Sequence, residues 1–158
     1  MIAADWDMIL LNQRLNRESR VDVFYATRIS GVSFHHKRRS AKGDGYPESD
    51  EAYQIRIPVG AEVQEGKTYL PEGRFSRLAD EAVPEHWTLR TGDFIIICAS
   101  CFDSADAPAP ESETVTEQGA RELAENYGLY AELIQITDYS DNTRRGSVAL
   151  RHWRIGGV

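Results

Sequence analysis

The chain has 158 residues, 41% hydrophobic and 27% charged, which suits one globular domain and excludes a disordered or collagen-like chain. Its 18 basic and 25 acidic residues leave a net charge of −7, which argues against general nucleic-acid binding, where a basic face is the usual footprint. The longest apolar run, Phe94 to Ala99, falls far short of the roughly 20 residues a membrane span needs, and no basic-then-apolar opening indicates a signal peptide.

In chain order, Met8 to Gln13 reads as a short apolar strand. Val21 to Thr27 is rich in strand formers, with Val21, Val23 and Tyr25 on one face; after Ser30-Gly31, Val32 to His35 alternates again and is predicted to pair with it as a hairpin. Lys37 to Asp50, with Gly43, Gly45 and Pro47, reads as a long exposed loop. Tyr53 to Pro58 alternates strictly, with Tyr53, Ile55 and Ile57 inward, and proline ends it. Phe75, Leu78 and Ala82 fall at helical spacing, so one short helix is predicted within Pro71 to Val83. Trp87 to Leu89, a turn at Thr91-Gly92-Asp93, and Phe94 to Cys98 read as another strand pair.

Ala105 to Pro110 is a loop leading into a helix over Thr116 to Glu125, capped by Thr116 and weakened at Gly119 by roughly 1 kcal/mol relative to alanine. Leu133 to Asp138 is a strand, Ser140 to Gly146 a tight turn region, and Val148 to Ile155 a closing strand. The expected fold is therefore a single, mainly β domain over residues 1–158. It is a small β-barrel or sandwich of six to eight short strands with one or two short helices and long loops. A basic loop at about 37–50 and an acidic loop-helix insertion at about 102–127 complete it.

No catalytic constellation stands out. Cys98 and Cys101 form one C-x-x-C, but the pair follows a β-branched run and precedes an acidic stretch, so neither a redox helix N-terminus nor a second half of a zinc site is at hand. Both cysteines read as structural or incidental. Adjacent His35 and His36 point to opposite faces of a strand and cannot grip one metal together. Ser147 has no nucleophile elbow around it, and the glycines of Lys42 to Gly45 and of Gly156-Gly157 match no phosphate cradle. Asp138, Asp141 and Asn142 suit an Asx turn better than a calcium loop. Trp87 and Trp153 read as core or barrel-end anchors, whereas Trp6, flanked by Asp5 and Asp7, is a candidate docking residue. Neither metal, cofactor nor catalytic residue is expected.

Charge is uneven. Asp103 to Glu125 holds seven acids against one base, and His35 to Lys42 holds four bases and no acid. Loops of opposite sign suit head-to-tail contacts between neighbouring copies, so Trp6, Lys37, Arg38, Arg39, Lys42, Asp103, Asp106, Glu111 and Glu113 are the candidate partner-contact residues.

Several phrases in order carry a resemblance: Leu11 to Arg14, Ser19 to Tyr25, Arg28 to Phe34, Tyr53 to Pro58, Trp87 to Ile96, Ile136 to Gly146 and His152 to Gly157. Over residues 8–157 the chain resembles a family of small prophage minor structural proteins of Gram-positive bacteria, of minor capsid or head–tail joining type. The acidic segment from Phe102 to Tyr127 departs from that pattern by its length. The resemblance implies a small β-barrel with long loops that serves as one subunit of a neck ring in a tailed phage, with no active site. Its partners would be its own copies and other neck or tail proteins, near DNA in the channel and away from membrane. It would reside in the virion after assembly in the host cytoplasm. The alternative expectation is a small β-barrel binding module for a peptide or carbohydrate.

Overall fold

The computed structural model describes residues 6–36, 53–98, 114–126, 131–144 and 146–158. In chain order these form β1 (Trp6–Leu15), β2 (Asp22–His36), β3 (Tyr53–Pro58), β4 (Glu62–Val63), β5 (Thr68–Tyr69), α1 (Glu72–Phe75) and β6 (His86–Trp87). Then come β7 (Phe94–Cys98), β8 (Thr114–Val115), α2 (Glu117–Asn126), β9 (Glu132–Asn142) and β10 (His152–Gly157). The fold is mainly β, as expected from the alternating segments.

Six strands close into a ring. β1 pairs with β7, β7 with β9, β9 with β10, β10 with β3, β3 with β2, and β2 returns to β1, every step antiparallel. Closure removes most of the exposed strand edge that an open sheet would carry. Alternation decides the contents. Met8, Leu10, Ile55, Ile57, Ile95, Ile97, Ile134, Ile136 and Ile155 all belong to one fully buried cluster inside the barrel. The alternate residues Ile9, Leu11, Ile96 and Cys98 face outward, and there Ala120 of α2 completes a second buried cluster with Leu123 and Ala124 packed against it. Covered on both faces, β1 and β7 tolerate the unbroken apolar runs that the sequence carries. A third cluster at one end joins Val23 and Tyr25 to Phe75 and Val83.

Two expected hairpins are absent. The Val21–Thr27 and Val32–His35 segments belong to one strand, β2, which changes partner at Gly31 from β1 to β3. Gly31 has φ +84°, and the β1–β2 register shifts at Trp6/Asp7. The glycine therefore bends a strand at a barrel corner instead of reversing the chain. Val21 precedes that strand and is exposed. Likewise Trp87 to Leu89 does not pair with β7: β6 runs parallel to β5, and β7 lies between β1 and β9.

The single helix expected within Pro71–Val83 is split into the one turn of α1 and a 3-10 segment at Asp80–Glu85. Ala79, at ψ 147°, is extended between them, and Pro84 stands inside the second piece. The expected strand 133–138 runs on through Asn142, and Val148–Leu150 is a 3-10 turn before β10. The α2 start agrees with expectation, since Thr116 Oγ1 accepts from Gly119 N at 3.0 Å. Gly157 has a packing reason as well. A Cβ there would lie 2.8 Å from Gln135 O and closer still to Ile134 Cγ2, where β10 is bulged against β9.

Candidate functional site

The barrel's two ends differ. At one, the mouth, stand Trp6, His36, Tyr53, Cys98, Glu132 and Gly157, linked by the pairings Asp7↔Cys98, His36↔Tyr53, Gly157↔Tyr53 and Ile97↔Glu132. At the other, the base, β1 ends at Leu15 opposite Asp22. The even residues of β1 run from apolar to polar toward the base: Met8 and Leu10, then Asn12 and Arg14, all buried.

Asn12 ties two chain segments together. Its amide nitrogen donates to Thr88 O (2.8 Å) and Asp93 Oδ2 (3.0 Å), and its oxygen accepts from Thr88 N (3.1 Å). Asp93 Oδ1 accepts from Gln13 N at 3.1 Å, while its backbone carbonyl accepts from Ile136 N at 2.8 Å. Asp93 is 1% exposed. Burial pushes its carboxyl up to about 6, against the opposing hydrogen bonds from Asn12 and Gln13 and the nearby charge of Arg90, with Glu72 adding to the rise.

Beside this network, a cleft of about 360 Å³ is lined by Arg14, Arg17, Glu72, Phe75, Thr88 and Arg90, among others. Arg14 is 6% exposed. It donates to Phe75 O (3.2 Å) and Leu78 O (2.6 Å) and pairs with Asp80 at 3.5 Å, which docks α1 and the following turn onto β1. Arg90 donates to Gln13 O at 2.9 Å and pairs with Glu72 at 3.6 Å. The cleft therefore offers guanidinium groups and the Glu72 carboxylate beside an aromatic floor, and guanidinium groups suit the binding of carboxylates.

Lys67 is also buried, 6% exposed. Its ammonium donates to Ala26 O (2.9 Å) and Thr27 Oγ1 (3.3 Å). Burial pulls its pKa down, with Glu65 opposing. Tyr69, Trp87 and Trp153 form an aromatic triad with ring centroids 4.9–5.1 Å apart, the anchoring role expected of the two tryptophans. Burial raises the Tyr69 hydroxyl to about 12.

Trp6 opens β1 at the mouth, its ring 4.9 Å from Phe34; Phe34 stacks on Tyr53, which stacks on His36. The other expected partner-contact residues, Lys37, Arg38, Arg39, Lys42, Asp103, Asp106, Glu111 and Glu113, lie outside the described residues. Cys98 is disulfide-bonded and fully buried beneath α2. Asp141 Oδ1 accepts from Thr143 N (2.9 Å), the Asx turn expected there. His86 and His152 each contact a backbone carbonyl, of Thr68 and Leu150. Among the described residues, no three His, Cys, Asp or Glu side chains are placed to hold a metal ion, and no helix is long and apolar enough to cross a membrane.

Asn12, Arg14, Asp93 and Lys67 had no place among the sequence-level candidates. For the first two the signal is the alternation itself, which puts Asn12 and Arg14 on the face of Met8 and Leu10. Polar residues on a core face must find partners, and such residues mark buried networks.

A family model described as a family of unknown function matches residues 3–158. No curated protein and no solved structure matches the chain.

Proposed function

The chain belongs to this family of unknown function, DUF6751, and we propose that it is a non-enzymatic structural subunit of a tailed phage or prophage particle. In this reading it is a head–tail connector, set in the neck ring beside its own copies and other neck or tail proteins. The observation that supports the reading is the polarity of the barrel. The strand ends on either side of residues 37–52 stand at the mouth, whereas residues 99–113 connect Cys98 at the mouth to β8, which pairs at the base end of β2. The guanidinium cleft and the exposed apolar side chains Leu15 and Val21 stand at the base.

A subunit with two unlike ends is suited to heterologous contacts, which close into rings when the rotation allows. The buried side chains of Asn12 and Asp93 are satisfied by one another and by backbone, including the N and O of Thr88, which makes them bracing for a scaffold. A net charge of −7 also suits a channel wall along which DNA passes without adhering.

Deleting the gene from its parent prophage and imaging the particles by electron microscopy tests the proposal. Unjoined heads and tails are expected: tailless, emptied heads place the subunit on the head side, and filled heads without tails place it on the tail side. Normal infectious particles overturn the reading. The second reading, a binding module for a peptide or carbohydrate, draws its support from the base cleft and would then take its place.

A further inference from the structure

We propose that the base cleft binds a small monocarboxylate, its carboxylate held by Arg17 and Arg90 and its apolar body laid against Phe75. The inference goes beyond the ring reading and does not depend on it.

Charge selects the sign and the number. Arg14 is balanced by Asp80 at 3.5 Å and Arg90 by Glu72 at 3.6 Å. Arg17 is exposed, and its guanidinium has no ion-pair partner among the described residues. Its backbone nitrogen donates to Asp80 Oδ2 at 3.1 Å, which ties the residue's main chain to the turn after α1. The wall therefore carries one positive charge in excess, which a single carboxylate neutralises, and guanidinium N–H groups match carboxylate oxygens in geometry as well as in charge. Asp93 adds no lining surface, and both of its oxygens already accept, from Asn12 and from Gln13 N.

Size and polarity select the rest of the ligand. A volume of about 360 Å³ lies at the small end of ligand pockets, which run from roughly 300 to 1,000 Å³. Phe75 in the floor and Leu15, 53% exposed, at the lip offer a compact apolar body its contacts. The wall also holds a hydroxyl in need of a partner. Ser76 Oγ donates to Gly73 O at 3.1 Å, whereas Thr88, 1% exposed, has its N and O taken by Asn12 and its Oγ1 buried without a hydrogen bond. Such a group costs the fold stability until something accepts from it. The hydroxyl is closed to water as the cleft stands, so it reaches a ligand by rotation about χ1 between staggered wells, and then donates to a carboxylate oxygen.

The test is benzoate titrated into the isotope-labelled full-length protein, with backbone amide shifts followed by NMR. Saturable shifts at cleft residues such as Gln13, Phe75 and Arg90 are expected, weakening with added salt. Arg17→Glu should lower the affinity about tenfold, and Thr88→Val about fivefold. Thr88→Val should do so with an unchanged or higher melting temperature, since the hydroxyl has no partner in the fold to lose. No saturable shifts at the cleft, or equal binding by wild type and Arg17→Glu, overturns the proposal. Benzamide, the neutral counterpart, binding as tightly as benzoate would also overturn it, by showing that apolar contact alone fills the cleft. Sulfate displacing benzoate at equal concentration would overturn the choice of a carboxylate in favour of any small anion. None of these outcomes bears on the particle phenotype of the deletion, so either reading can fail alone.

Discussion

Asp93 accepts hydrogen bonds on both carboxylate oxygens, yet burial outweighs them and lifts its pKa from 3.8 to about 6. The folded state therefore holds this proton more tightly than the unfolded chain. Its contribution to stability is fully present below the ordinary value and is lost as pH rises through 6. A displacement of that size is worth about 3 kcal/mol. Asp93→Asn removes the titration; its oxygen can still accept from Gln13 N, but its NH2 then faces the amide nitrogen of Asn12. We expect the stability of wild type relative to Asp93→Asn, from urea unfolding, to fall between about pH 4 and 6. Parallel curves for the two proteins would show that Asp93 ionises as it would in water.

At the scale of elements, the outer edge of β2 is covered in pieces. β8 pairs at Phe24 and Tyr25, and β4 at Ile29 and Ser30. Between them, side chains replace a strand: Lys67 Nζ donates to Ala26 O, and Gln64 Oε1 accepts from Arg28 N at 3.0 Å. An edge closed this way offers no free ladder to a passing strand. Lys67→Ala should destabilise by about 1–3 kcal/mol, because a buried carbonyl loses its donor. A loss under about 0.5 kcal/mol in the same urea assay would mean that water takes over the role. The Lys67 pKa is lowered on folding, so holding its charge costs stability at neutral pH and that cost fades only as the solution becomes alkaline.

Elements governed by local chemistry were legible in the sequence: β3 from strict alternation ended by Pro58, and α2 from its Thr116 cap. The partners of Val32–His35 and Trp87–Leu89 were not. Gly31 and Gly92 both allow positive φ, and whether such a residue turns or merely bends the chain depends on distant strands. The candidate site was illegible for a related reason. Asn12 and Asp93 stand 81 positions apart and meet only because β7 lies beside β1. Each alone reads as an ordinary polar residue.

For the whole molecule, closure of the ring makes the six main strands mutually dependent. β1 is flanked by ladders on both sides, to β2 and to β7, and β10 likewise by β9 and β3. Native-state hydrogen exchange should therefore give ladder amides of β1 and β10, such as those of Leu10 and Ile155, the same high opening free energy, set by global unfolding. If Ile155 exchanged at markedly lower cost, the barrel would be opening as a sheet while β1 remained intact. The pairing order also sets a schedule. Without β10, the five preceding strands form an open sheet running β9-β7-β1-β2-β3, with one side of β9 and one side of β3 left unpaired. A chain whose first five strands pair before β10 is in place would pass through that state until Gly157 bridges the gap. Such a copy would present two sticky borders to its neighbours, and crowded translation is where errors of assembly would begin.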